Sequence, residues 1–335
     1  MTRTTPEQTK LLICMVHPYR QWCAPPSYYE RAQKRWPVMR VVNLADYAAI
    51  ESEIGDADIF AGASLRPQQF AAARKLKWIQ TPSAGVNQLM YPELRSSGVI
   101  VTNARGVHAQ AMSEHVLGTI IALARNFPAA VRCQARHKWA QKELGDDPRM
   151  PRELGGQLLA LVGYGGVGQA VARLARAMGM RVWAVTRLGA AESALAERVL
   201  PAAQLDEALA QADFVVLAAP DTPETHQMIG ERQLAAMKPT AFLINVARGS
   251  LIDESALVAA LRRGRIAGAA LDVTATEPLP ETSPLWDCEN LFLTPHLSAI
   301  SDRFWEREGD LFLENLERWF SGRPLLNQVD LARGY

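Results

Sequence analysis

The tract LLALVGYGGVG, residues 158–168, restricts what this chain folds into more than any other. Five apolar residues run directly into a glycine-rich turn, and a helix-like stretch follows. Gly163, Gly165 and Gly168 stand in the pattern G-x-G-x-x-G between the two. In that context each glycine has a physical task. Gly163 permits the tight turn, Gly165 lets a pyrophosphate approach the backbone, and Gly168 lets the helix pack closely on the strand. The phosphates would rest on free N–H groups at the helix N-terminus, where Gly166 and Val167 lie.

Short apolar runs alternate with helix-like stretches along the chain, which reads as parallel α/β architecture. In the N-terminal part strands are expected at residues 11–16, 40–44, 58–62, 78–81 and 99–103. In the second part they are expected at 158–162, 181–185, 213–219, 241–246, 266–271 and 291–295. These later runs do not alternate apolar with polar, as required of strands covered by helices on both faces. Six of them match the doubly wound dinucleotide fold. Residues 112–125 are apolar on most sides and read as a buried helix. Residues 144–151, rich in Gly, Pro and Asp, read as a connector, and residues 303–320 as a closing helix.

A chain of 335 residues has room for about two domains. Lys and Arg number 36 against 35 Asp and Glu, a net charge of +1. That leaves no excess to neutralise phosphates, so nucleic acid is not an expected partner. The apolar run at 11–16 is too short for a signal core or a membrane span. Cys14, Cys23, Cys133 and Cys288 form no CxxC pair, which fits a reduced cytoplasmic compartment. No Cys/His cluster has metal-ligand spacing, and no metal is expected.

An NAD site usually carries Asp or Glu about 20 residues after the glycines, on the ribose hydroxyls. Here the second strand ends at Thr186 and Arg187 instead. Arg187 pairs well with a 2′-phosphate and Thr186 can hydrogen-bond it, which points to NADP in preference to NAD. Three later strand ends are polar, where open α/β sheets bind ligands: INVARGSLIDE (244–254), ALDVTATEPLP (270–280) and LTPHLSAIS (293–301). Reducing a 2-oxo acid needs a cation for the carboxylate and carbonyl, an acid for the carbonyl oxygen, and a group that tunes the acid. Arg248 supplies the bidentate cation. His296 is the natural acid, with Glu277 accepting its other ring N–H and fixing the tautomer. Taken singly, each of the three has a dull explanation as a solvated loop residue. Their placement at successive strand ends favours chemistry.

At these residues the chain resembles the D-isomer-specific 2-hydroxyacid dehydrogenase family. The resemblance runs from about residue 58 to 327 through SAGVN (83–87), VTNARGVHAQAMSEHVLG (101–118), VGYGGVGQAVA (162–172), APDTPETHQMI (219–229), MKPTAFLINVARGSLIDESAL (237–257), ALDVTATEPLPETSPLW (270–286) and NLFLTPHLS (290–298). It implies a catalytic set of Arg248, Glu277 and His296, and further cofactor contacts at Pro220, Ala247 and Asp272, the last orienting the nicotinamide. It implies that the substrate carboxylate is received around Ser83, Ala84 and Gly85, a plausible backbone anion nest, with Arg248 and His296 completing the substrate site. The implied layout is a flavodoxin-like substrate domain, residues 1–103 and 297–335, with a Rossmann cofactor domain, 104–296, inserted. The active site would lie in the cleft between them, in a homodimer using the helix near 112–125. The implied reaction is D-specific hydride transfer between NAD(P)H and a small 2-oxo or 2-hydroxy acid, with glyoxylate or hydroxypyruvate expected. Arg66 is a candidate for a polar substrate tail. The related formate dehydrogenases pair their His with Gln, so the acidic Glu277 argues against that activity. The alternatives are a dehydrogenase of larger 2-oxo acids and a nucleotide-sensing corepressor-like binding protein.

Overall fold

The computed structural model describes residues 5–147, 151–191 and 194–334. Two contact units emerge: residues 1–108 with 300–335, and residues 109–299. Residues 104–108 stay with the first unit, where Ala104 N–H donates to Ser83 O and Val107 N–H to Ala104 O.

The first unit is built on a five-stranded sheet of order β2-β1-β3-β4-β5. The strands are β1 (Lys10–Cys14), β2 (Arg40–Asn43), β3 (Ile59–Gly62), β4 (Trp78–Gln80) and β5 (Ile100–Thr102), all parallel. This is the flavodoxin-like order. β1, β3 and β4 are buried throughout, because helices cover both faces. Burying Lys10 within β1 requires partners, and its Nζ meets Glu53 Oε2 at 2.9 Å and Asp56 Oδ1 at 2.6 Å. One face is covered by helices Pro26–Arg35 and Phe304–Ser321. On the latter, Phe304, Glu308, Phe312 and Leu316 share a buried stripe at four-residue spacing. Three of them are apolar; Glu308 is not.

The second unit is built on a seven-stranded sheet of order β12-β11-β10-β9-β6-β7-β8, again all parallel. Its strands are β6 (Leu158–Val162), β7 (Arg181–Thr186), β8 (Arg198–Pro201), β9 (Phe214–Leu217), β10 (Phe242–Asn245), β11 (Gly268–Leu271) and β12 (Leu291–Leu293). Chain order reverses between β6 and β9, which are paired neighbours, so the loops after them form the switch point of a Rossmann sheet. Sequence patterning anticipates six of these strands. The seventh, β8, is a four-residue edge strand ending in Pro201, half-exposed and without an apolar run.

Helix Ala109–Ala124 buries Val116, Ile120, Leu123 and Ala124 against helix Gly166–Ala177 and the sheet. Its opposite side stays partly open, so it is less enclosed than its apolar composition implies. The connector expected at 144–151 begins inside helix Gln141–Gly145, and its residues 148–150 lie outside the described residues. Among the described residues, no single helix is long and apolar enough to cross a membrane.

Candidate active site

The glycine loop leaves β6 at its carboxyl end. Gly163 adopts φ +99°, and a Cβ there would stand 2.5 Å from the Ala218 carbonyl carbon. A Cβ on Gly168 would stand 2.3 Å from the Gly163 carbonyl oxygen. Both contacts are with backbone and cannot yield. Gly165 differs: a Cβ there would meet nothing within 4 Å. Its bareness serves no packing contact within the chain, whereas it clears space for an approaching phosphate. The amides of Gly165, Gly166 and Val167 find no acceptor among the described residues, as at any free helix N-terminus. The residues present therefore fit a dinucleotide.

At the end of β7, Thr186 Oγ1 accepts the Gly189 amide at 3.0 Å, and Arg187 is exposed. Glu224 lies within electrostatic reach of Arg187. Its carboxyl is held below the usual value first by its own backbone amide and the Thr222 hydroxyl, with Arg187 adding to them. Pro220 follows β9, its carbonyl accepting from Thr225 Oγ1 at 2.7 Å. Ala247 follows β10, its amide donating to Asn245 Oδ1 at 3.0 Å. Asn245 also donates from Nδ2 to Arg248 O at 2.8 Å, so one buried amide shapes the turn that presents Arg248 to solvent.

Gly249 brings that turn against the next loop. A Cβ on it would lie 2.0 Å from the Thr274 carbonyl carbon, so the turns after β10 and β11 touch backbone to backbone. From the second loop Glu277 reaches His296: Oε2 lies 2.6 Å from Nδ1, while Oε1 accepts the Thr274 amide at 3.0 Å. Glu277 and His296 are thus brought together, with Arg248 on the adjoining loop.

His296 itself adopts φ +55°, left-handed backbone that a non-glycine residue takes at some cost. What imposes it is Asp272, which follows β11. Its carbonyl accepts the His296 amide at 2.8 Å. Its buried carboxylate accepts Leu297 N at 2.8 Å, Ser298 N at 2.9 Å and Thr294 Oγ1 at 2.6 Å. Burial acts to raise this carboxyl, but donors from Ser298, Thr294 and Leu297 outweigh it and hold it below its ordinary value. The stability it contributes is therefore complete above the ordinary carboxylate range and lost as pH falls through the lowered value. His115 Nε2, on helix Ala109–Ala124, lies 3.3 Å from Thr294 Oγ1 and 3.9 Å from Asp272 Oδ1. Sequence reasoning names Asp272 but misses His115, Thr294 and Asn245. Their only signal is a polar residue within an apolar helix or at a strand end.

In the first unit, residues 81–86 follow β4. Asn103 Nδ2 donates to Ala84 O at 2.7 Å, and Ala104 N to Ser83 O at 3.0 Å. The carbonyls are thereby occupied. The amides of Ala84 and Gly85 meet no acceptor among the described residues, the arrangement of an anion nest. Arg66 stands exposed after β3, at the N-terminus of helix Pro67–Ala72, with its amide capped by Gln69 Oε1 at 2.9 Å.

A Rossmann sheet with this glycine loop, beside an Arg–Glu–His set, defines a nicotinamide-dependent oxidoreductase. Residues 117–298 match the family described as "D-isomer specific 2-hydroxyacid dehydrogenase, NAD binding domain". A glyoxylate reductase of Thermococcus gammatolerans is 37% identical over 259 residues, 76% of either chain. A D-isomer specific 2-hydroxyacid dehydrogenase from Xanthobacter autotrophicus, solved with NADPH and MES, superimposes with TM-score 0.84 at 30% identity, covering 98% of this chain and 100% of the other. An NADPH-dependent glyoxylate/hydroxypyruvate reductase from Sinorhizobium meliloti, solved with NADP and sulfate, gives TM-score 0.81 at 26% identity, with coverage of 98% and 100%. The chain belongs to the NAD(P)-dependent D-isomer-specific 2-hydroxyacid dehydrogenases.

Replacing Thr294 by Val strips one donor from Asp272 and one acceptor from His115. Steady-state kinetics should then show kcat for a 2-oxo acid about tenfold lower, the effect of one lost charge-assisted hydrogen bond at ~1.4 kcal/mol. An undiminished kcat would remove Thr294 from the positioning of His296.

Proposed function

We propose that the chain reduces glyoxylate or hydroxypyruvate to the corresponding 2-hydroxy acid with NADPH. The observation that carries this reading is the 2.6 Å pair between His296 Nδ1 and Glu277 Oε2. Glu277 holds a proton on Nδ1, so Nε2 is the nitrogen turned over to chemistry. The cofactor, when bound, supplies the hydride. His296 then delivers its Nε2 proton to the carbonyl oxygen as negative charge develops there. Arg248 polarises that carbonyl and holds the carboxylate in bidentate fashion. The amides around Ser83, Ala84 and Gly85 receive the carboxylate's charge. In the reverse direction His296 takes the proton as a base.

In this reading residues 109–299 are the cofactor domain, and residues 1–108 with 300–335 the substrate domain. Gly163, Gly165, Gly166, Val167 and Gly168 cradle the pyrophosphate. Thr186 and Arg187 meet the 2′-phosphate, and Pro220, Ala247 and Asp272 complete the nicotinamide side. Preference for NADP is supported by the missing carboxylate after β7 and by the NADP of the Sinorhizobium relative. The small substrate is supported by the names of the Thermococcus and Sinorhizobium relatives.

We also infer a cytoplasmic homodimer. Phe127, Val131 and Trp139, in the segment that follows helix Ala109–Ala124, are 52%, 61% and 90% exposed, apolar side chains that a partner copy could cover. A monomer mass in light scattering at micromolar concentration would remove the dimer.

Two substitutions test the chemistry. His296→Gln should lower kcat by about 10²–10⁴-fold, the usual worth of general acid catalysis, while NADPH binding followed by fluorescence is retained. Full turnover would dismiss His296 as the acid. Arg187→Asp should raise KM for NADPH about tenfold, equivalent to ~1.4 kcal/mol, and spare that for NADH. An unchanged ratio of the two would end the argument for NADP from this residue.

A further inference from the structure

Glu308 is wholly buried in the apolar stripe of helix Phe304–Ser321. Its surroundings are nevertheless ordered. Gln80, the last residue of β4, donates from Nε2 to Glu308 Oε1 at 2.9 Å. The same Nε2 stands 3.5 Å from the carbonyl of Thr81. Gln80 Oε1 accepts from Thr102 Oγ1 at 2.6 Å, and Thr102 Oγ1 accepts from Trp78 Nε1 at 2.7 Å. Thr81 N donates to Thr102 O at 2.9 Å, and Thr81 Oγ1 lies 3.4 Å from the Ser83 amide. A buried chain of polar groups thus runs from Glu308 through Gln80 to the backbone that opens the 81–86 loop.

The chain is unfinished at its inner end. Glu308 Oε2 and the Tyr28 hydroxyl are both buried and lack a partner at strict hydrogen-bond geometry, although they lie close enough to act on one another. Such atoms are rare in native cores and call for an explanation. A purely structural stripe would take Leu or Met at this position. Burial pushes the Glu308 carboxyl up to about 7, since Tyr28 and Gln80, which favour the anion, offset only part of the desolvation. Burial and the neighbouring Glu308 in turn hold the Tyr28 phenol well above its usual value.

The charged groups on the packed elements have partners of their own. Arg31, on helix Pro26–Arg35, pairs with Asp310. Lys77, before β4, pairs with Asp58 at 2.9 Å. His108 stacks on Phe304, with centroids 4.8 Å apart.

We propose that Glu308 is a positioning residue for the substrate-carboxylate loop, acting through Gln80, and that its proton state sets the loop's affinity for the anionic substrate. The inference rests on the reading of residues 83–85 as the carboxylate site. With Glu308 neutral, this chain of polar groups carries no negative charge. With Glu308 ionised, a buried anion sits on the chain that supports the nest, in a low-dielectric core where screening is weak. Proton binding and substrate binding then favour one another, and the coupling is reciprocal. KM for the 2-oxo acid rises as pH passes upward through neutrality, on a titration separate from that of His296.

The test is the pH dependence of KM and of kcat between pH 5.5 and 8.5 for the intact enzyme, Glu308→Gln and Gly85→Pro, with glyoxylate as substrate. The wild-type KM should rise about tenfold across the range, the effect of a one-unit shift in a coupled proton. Glu308→Gln should flatten that rise while the kcat profile, owned by His296, keeps its shape. Thermal unfolding supplies a readout without substrate. A carboxyl with a raised value favours the folded state at low pH, and that advantage shrinks between the ordinary carboxylate range and about 7. The wild type should therefore lose more Tm between pH 5 and 8 than Glu308→Gln. Gly85→Pro deletes one nest amide and should raise KM at every pH. Superimposable KM profiles for the wild type and Glu308→Gln, with Gly85→Pro impaired, would overturn the role of Glu308. If Gly85→Pro leaves KM unchanged, the carboxylate loop itself is misassigned and the inference falls with it.

Discussion

The geometry of the candidate site in the second unit depends on one buried carboxylate. Asp272 follows β11 with its side chain out of water, a position that costs several kcal/mol for an ion without partners. Thr294, Leu297 and Ser298 supply the donors it needs, all from the segment that follows β12. Satisfying Asp272 is therefore the same event as winding residues 294–298 around it. His296 lies in the middle of that winding and is forced into left-handed backbone. Such a residue costs about 1–3 kcal/mol and persists only when its surroundings over-determine it. Here five atoms of Asp272's neighbours do so, counting His115 behind Thr294. The placement of His296, the acid in the proposed reaction, is thus fixed by Asp272.

A second constraint is steric. Three glycines, two after β6 and one after β10, permit backbone contacts that any side chain would prevent: Gly163 against Ala218, Gly168 against Gly163, and Gly249 against Thr274. Parallel strands about 4.8 Å apart carry their following loops on one edge, but side chains ordinarily hold those loops apart. Removing the Cβ closes the gap. The loops after β6 and β9 then form one surface, and those after β10 and β11 another. On the latter, Arg248 and Glu277 come from turns that touch, which is how residues 29 positions apart in sequence come onto adjoining loops.

Much of this was legible from residue order alone. The glycine loop, the buried strands and the Arg–Glu–His set each have a local signature: a motif, an unbroken apolar run, or a polar residue just past a strand. β8 lacked one, because a short edge strand ending in Pro is held by pairing with β7 rather than by its own pattern. The structural duty of Asp272 was hidden too. A carboxylate after a strand reads as a ligand for something outside the chain, and nothing in ALDVTATEPLP reveals that its donors arrive from residues 294–298. His115 and Thr294 share the difficulty, since their meaning lies in a contact across 179 positions. Glu308 was passed over for the opposite reason. In a helix rich in Glu and Arg, one more acid reads as solvated surface, and only the placement of Phe304 and Phe312 on the same face shows that it is not.

Asp272 and Glu308 together show what decides the state of a buried acid. Both are carboxylic acids removed from water. Desolvation pushes each upward. Asp272 gathers backbone and hydroxyl donors on both oxygens, and these stabilise the anion by more than burial costs it. Glu308 has the Gln80 amide on one oxygen and an unsatisfied phenol near the other, so the balance falls the opposite way. The first is a permanent charge suited to fixing a backbone. The second can change state near neutral pH and suits a response. Donor count as well as depth of burial separates the two, and the count is set by whether the chain turns its amides toward the acid, as residues 297 and 298 do, or presents a helix flank whose amides are already spent.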